Sequence, residues 1–166
     1  MADLKTYYGN ALSDHAEMHL DMTTLGGMVG LSRNHAVNSA AALRFREDFG
    51  PRKIFVLPEL YHQKEHSKHH TSEFYSGRIL LGADWNYRKL YQLVNGHETL
   101  TKSTLLTEEY LYSQWLENND METVVPLFAL DESGNLFWFT ADEALQPKAG
   151  WKLFSLSAPT EELAAG

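Results

Sequence analysis

Apolar positions in the first third of the chain fall into short runs joined by stretches with helical spacing. Residues 4–8 are rich in strand formers, and Gly9-Asn10 stops them. Ser13-Asp14 is a helix-start signal, since both side chains can take up backbone donors that a first turn leaves over, and a short helix is predicted over 15–20. Residues 28–31 form a second apolar run, entered through Gly26-Gly27. After Ser32-Arg33-Asn34, the residues Val37, Ala40, Ala41, Ala42, Leu43, Phe45 and Phe49 supply spacings of three and four. They predict one long helix over about 35–49, stopped by Gly50-Pro51. Residues 53–57 make a third strand, apolar on both faces. Continuous apolar strands separated by helices predict a parallel sheet with helices packed on it.

The pattern changes in the second half. Residues 78–81 read as a short strand closed by Gly82. An amphipathic helix follows over 85–94, with Trp85, Leu90, Leu93 and Val94 inward and Asn95-Gly96 ending it. Residues 99–106 alternate loosely as a strand. Thr107-Glu108-Glu109 looks like the start of another helix, with a capping threonine and two carboxylates at its positive end. That helix is predicted to run to about Asn118 and to bury Leu111, Tyr112 and Trp115. Three strands follow, over 124–130, 136–140 and 151–157, the first two joined as a hairpin through Glu132-Ser133-Gly134-Asn135. Pro126 inside the first of them predicts a sheet edge or a bulge. The aromatic residues between Tyr110 and Phe154 are expected to be core, because the surrounding acidic charge does not suit a nucleic-acid stacking platform.

Between the two halves, residues 58–76 are polar and hold His62, His66, His69 and His70. His62 with His66, and His66 with His70, share i,i+4 spacing, which would bring imidazoles to one helical face. The spacing matches no established metal motif, so a solvated connector is expected, with His62, His66 and His70 as weak metal candidates.

Fourteen basic against 22 acidic residues leave a net charge of −8, which disfavours nucleic acid as a partner. The sign is uneven. Residues 1–43 are net −2, residues 44–89 net +3 and residues 90–166 net −9, and the change near residue 90 is consistent with two structural units. The absence of cysteine excludes disulfides, thiolate metal sites and a cysteine nucleophile. No apolar run approaches the roughly 20 residues of a membrane-spanning helix. No GxSxG, HExxH or GxxxxGK[ST] occurs. The glycines at 26, 27 and 30 precede and sit in a strand, where a dinucleotide turn would instead follow a strand and open a helix. Ser13, Asp14 and His15 are adjacent in sequence, which suits helix capping better than a catalytic triad. No covalent chemistry is expected.

Several stretches together resemble a known family. Tyr7-Tyr8-Gly9-Asn10-Ala11 is similar to the element that ends the third strand of the TrkA-N, or RCK, domain. Gly30-Leu31-Ser32-Arg33-Asn34-His35-Ala36-Val37-Asn38 resembles its fourth strand and the helix start after it. Residues 40–49 then correspond to its small-residue helix and residues 54–57 to its fifth strand. Asp131-Glu132-Ser133-Gly134-Asn135-Leu136, and residues 145–153, resemble the hairpin of the RCK-C domain. Residues 42–50 look closest to the cytosolic tail of NhaP-like monovalent cation:proton antiporters. Asn10 stands where the family usually has Asp, His35-Ala36 where it has Asp-Glu, and Trp151 where it has Asp.

This resemblance implies an α/β chain. Residues 1–76 would be the C-terminal half of a Rossmann-like parallel sheet, with a His-rich connector from about 58. Residues 77–166 would be a small α+β RCK-C-like unit with a β-hairpin. It implies a cytoplasmic regulatory or ligand-sensing module of a sodium or potassium antiporter, on the cytosolic side of the inner membrane. Its partners would be the membrane domain, expected upstream in the same polypeptide, and a second copy in a homodimer. A stand-alone nucleotide- or ligand-binding protein of the same fold is the alternative. The family's first strand, its GxGxxG turn and its acidic ribose-binding residue have no counterpart among these residues. NAD(H) or another nucleotide is therefore an expectation for a full-length domain and not for this chain. Only Gly9, Asn10, Asn34 and Asn38 occupy positions that would line the rim of a nucleotide cleft.

Overall fold

The computed structural model describes residues 6–19, 22–58, 77–82, 84–95 and 100–157. The His62, His66 and His70 candidates lie outside these residues. Two compact units divide the chain between Arg78 and Ile79, with Pro58 counted in the second. The chain is mixed α/β, with a three-stranded parallel sheet and a four-stranded antiparallel sheet.

In the first unit, α1 (Asp14–His19) starts where expected. The Ser13 hydroxyl accepts from the Ala16 N–H at 3.3 Å, which satisfies a donor that the helix cannot. The strand expected at 4–8 does not form in its described part. Thr6, Tyr7 and Tyr8 are irregular, and Tyr8 is fully exposed, while Leu4 lies outside the described residues. β1 (Met28–Gly30) and β2 (Ile54–Val56) pair in parallel, with Met28 opposite Ile54 and Gly30 opposite Val56. The sheet order is β1-β2-β3, where β3 (Arg78–Ile79) begins on Arg78, the last residue of this unit. Leu31 lies outside the strand and is exposed.

The long helix expected over 35–49 is two helices, α2 (His35–Arg44) and α3 (Arg46–Phe49). Phe45, at φ −89° and ψ 5°, leaves helical geometry between them, and its N–H still closes α2 on the Ala41 carbonyl at 2.9 Å. The buried positions of this stretch are Asn38, Ala41, Ala42 and Phe45. They follow i, i+3, i+4, i+7, the spacing of one helical face. Val37, Ala40 and Leu43, expected in the core, lie off that face and are exposed. One step of the inward stripe is therefore an asparagine.

In the second unit, α4 (Tyr87–Asn95) begins at Asn86, whose Oδ1 accepts from the Lys89 N–H at 3.1 Å. Trp85 is buried just before it, while Val94, expected inward, is exposed. β4 (Leu100–Leu105) leads to a turn rather than a helix. Thr107 uses its hydroxyl and carbonyl on the Tyr110 N–H, closing that turn on itself. Leu111 is then extended, and α5 (Tyr112–Glu117) starts one turn later than expected, with Gln114 reaching back to the Leu111 N–H at 2.6 Å. Leu111, expected buried, is exposed.

The antiparallel sheet has the order β4-β7-β5-β6, with β5 (Val124–Leu130), β6 (Leu136–Trp138) and β7 (Lys152–Ser157). The register shifts between Pro126 and Phe128, a bulge of the kind a strand proline requires. One face of this sheet carries Ala129 opposite Leu153, and both pack with Leu106, Trp115, Val124 and Phe139 into the core. Burial pushes the hydroxyl of Tyr112, packed against that core, up to about 12. The other face is aromatic as well. Phe128 and Phe154 stack at 4.7 Å, and Trp138 meets Phe128 edge-on at 5.3 Å.

The hairpin turn is organised by Asp131. Its Oδ1 accepts from the N–H groups of Ser133 (2.9 Å) and Asn135 (2.8 Å), and its Oδ2 from the Asn135 side chain (2.8 Å). Gly134 supplies the positive φ of 81° that a side chain would strain. The Asn135 side chain, opposed by desolvation and aided by backbone N–H groups, holds the Asp131 carboxyl below its ordinary value. A carboxyl lowered on folding adds stability above the ordinary carboxylate range, and that stability is lost as pH falls through the lowered value. Asp131→Ala is therefore expected to lower the urea midpoint near neutral pH. Its difference from wild type should narrow as pH falls toward 3. A pH-independent difference would contradict this role for the carboxylate.

Candidate functional site

The turn between β1 and α2 is the best-organised polar site in the first unit. Gly30, the last residue of β1, leaves little room for a side chain. A Cβ there would lie 3.2 Å from both the Asn38 Cβ and the Val56 Cγ1. That close approach brings the start of α2 down onto the strand ends. The Gly30 carbonyl accepts from the Leu57 N–H at 3.2 Å, tying the turn to the end of β2.

Asn38 sits under the turn and is buried. Its Oδ1 accepts from the Ser32 N–H at 3.1 Å and its Nδ2 donates to the Ser32 carbonyl at 2.9 Å. One amide therefore mimics a backbone pair and locks residue 32 in place. Asn34 caps α2, with extended backbone and an Oδ1 that accepts from the Val37 N–H at 3.4 Å. The Ser32 hydroxyl donates to the Asn34 carbonyl at 3.0 Å and accepts from the Asn34 N–H at 3.2 Å. On the next turn of α2, His35 Nε2 and the Ser39 hydroxyl lie 3.2 Å apart.

The expected rim residues thus fall into two groups. Asn34 is exposed at the mouth of the β1–α2 turn, whereas Asn38 is an internal clamp of that turn and not a lining group. Gly9 and Asn10 belong to the turn before α1. There the Asn10 Oδ1 accepts from the Leu12 N–H at 3.0 Å, and its carbonyl accepts from the Ser13 N–H and hydroxyl. Each pair of residues is engaged in its own turn.

Ser32 is the residue of this turn that pattern reading did not single out. A serine two residues before a helix-capping asparagine is its only sequence signal, and that signal is shared with ordinary turns. The positive end of the α2 dipole, Arg33 and His35 all stand at the carboxyl ends of parallel strands. Open α/β sheets place ligands there, and a helix start there favours anionic or carbonyl groups. Among the described residues, no group of three or more His, Asp or Glu side chains is arranged to hold a metal ion, and no helix is long and apolar enough to cross a membrane. No family model, no curated protein and no solved structure matches the chain.

Proposed function

We propose that this chain is a regulatory, ligand-sensing module of a monovalent cation:proton antiporter, acting by linkage and not by covalent chemistry. In this reading the first unit is the C-terminal half of a Rossmann-like sheet and the second is an RCK-C-like unit. The observation that carries it is the parallel pairing of β1 with β2, with the α2 start clamped at their carboxyl ends. A Rossmann-type sheet puts its fourth and fifth strands side by side in this way, and its earlier strands would join on the open side of β1. A homodimer belongs to this reading as well.

A ligand that prefers one arrangement of the module shifts the transporter by its differential affinity. Couplings of this kind typically amount to about 1–3 kcal/mol, or roughly 5–150-fold in affinity. NADH and ATP are expected to bind weakly or not at all, because the glycine turn that cradles pyrophosphate has no counterpart here. A sub-micromolar dissociation constant by calorimetry would contradict that expectation. The regulatory reading itself is tested by deleting these residues from the native gene and measuring growth in high sodium and high potassium at alkaline pH. Altered cation tolerance is expected, and unchanged tolerance to both cations would overturn the reading.

A further inference from the structure

We propose that His15 and His19, on α1, bind a divalent first-row transition-metal cation through their Nε2 atoms. The two residues are separated by four positions, and both are exposed on one side of the helix. Their rings are stacked, with centroids 4.0 Å apart and planes 26° from parallel. A metal bound at about 2.0–2.1 Å by two imidazole nitrogens needs those nitrogens roughly 3 Å apart. The rings must open from that near-parallel stack toward perpendicular planes for their in-plane lone pairs to meet on one ion, a rotation that exposed side chains can make.

The hydrogen bonds decide which ring nitrogen is free. His19 Nδ1 lies 2.8 Å from the His15 carbonyl oxygen. A carbonyl can only accept, so Nδ1 carries the proton and the neutral ring has its lone pair on Nε2. His15 Nδ1 lies 3.0 Å from the Tyr7 hydroxyl, which donates or accepts according to the His15 tautomer; in the tautomer where it accepts, Nε2 is the free ligand there too. Metal-binding histidines characteristically pass their second ring N–H to a carbonyl or comparable acceptor, which fixes tautomer and orientation. Both partners are present here, and the Tyr7 ring also flanks both imidazoles, at 5.8 Å and 6.1 Å.

No third His, Asp or Glu joins the pair among the described residues. Water or an external ligand would fill the other positions, and a tetragonal ion with nitrogen and oxygen ligands fits best. The Irving–Williams order then places copper(II) tightest, ahead of nickel(II) and zinc(II). A metal bridging i and i+4 would also hold together a helix of six residues, a length that is marginal in water.

The test uses the full chain with His62, His66, His69, His70 and His97 all changed to glutamine, titrated with copper(II) alone. Calorimetry and electron paramagnetic resonance are expected to show one bound equivalent with two-nitrogen coupling. Adding His15→Gln or His19→Gln should weaken binding at least about tenfold and remove that coupling, and Tyr7→Phe should weaken it about 10-fold through the outer shell. His15→Gln in the otherwise native chain should remove one equivalent of bound copper, whatever the five-fold variant does to folding. An unchanged affinity and spectrum after His15→Gln and His19→Gln, or no binding below millimolar copper in the five-fold variant when circular dichroism shows it folded, would overturn the proposal.

Discussion

Asn38→Ala is expected to destabilise the protein by about 2–4 kcal/mol, because it removes two hydrogen bonds at once and leaves part-buried backbone groups without partners. An unsatisfied buried donor or acceptor costs roughly 1–3 kcal/mol. The Ser32 N–H and carbonyl are the two groups concerned, and both sit in the turn that seats α2 on β1. Shape matters as well, since the Gly30 backbone approaches closely enough that the Asn38 side chain fills the space a Cβ would take. Asn38→Asp sharpens the test. The introduced carboxylate keeps an acceptor for the Ser32 N–H but presents negative charge to the Ser32 carbonyl. It is expected to be at least as destabilising near neutral pH and to recover as pH falls, when the protonated acid can donate. Here the folded state prefers the protonated form, so the stability is present at low pH and lost as pH rises. Urea unfolding from pH 4 to pH 8 checks both variants. A change under about 0.5 kcal/mol, the range of ordinary surface substitutions, would show that the clamp does not fix the turn.

Trp115→Ala should cost more, about 3–5 kcal/mol, the usual range for removing a buried large aromatic side chain. Trp115 is 3% exposed and lies among Leu106, Val124, Ala129, Phe139 and Leu153, with the Tyr112 ring stacked on it at 5.8 Å. Against a total stability of roughly 5–15 kcal/mol, such a loss leaves the second unit close to unfolding at room temperature. Near-UV circular dichroism should lose much of its aromatic signal, and the denaturant midpoint should fall sharply. Leu116→Ala on the same helix is the control, because Leu116 is 38% exposed and makes no part of that core. Similar losses for the two variants would mean that helix propensity, and not packing against the sheet, governs this unit.

These two sites also show what the sequence makes legible. The strands at 28–30, 54–56 and 124–130 could be read because apolar runs bounded by turn residues act locally. The bulge at Pro126 could be read because a missing N–H has the same consequence in any sheet. The division of α2 from α3 could not. Every residue from 35 to 49 tolerates a helix, and the break at Phe45 places that ring in the core by tertiary packing. The misplaced start of α5 has a local cause with two solutions. Thr107 can cap a helix or close a turn, and both use the same hydroxyl. Of the candidate site, Asn34 reads from its position before a helical pattern as a cleft-rim residue, and its capping of α2 is seen only in the structure. The inward face of Asn38 was hidden, because an asparagine in an apolar stripe reads as a gap until its partner, the Ser32 backbone, is seen. The pairing of Tyr7 with His15 across eight residues depends on the turn at Asn10–Ser13 and had no periodic signal at all.

Cation-driven proton exchange in everted membrane vesicles tests the regulatory reading most directly. Vesicles are prepared from cells carrying the intact gene and from cells in which these residues are deleted. A pH gradient is imposed, and its collapse is followed as sodium or potassium is added. If the chain is a linkage module, the deletion shifts the half-saturating cation concentration or the pH at which exchange switches on, by about 5-fold or more. Identical cation and pH dependence in the two vesicle preparations would contradict it.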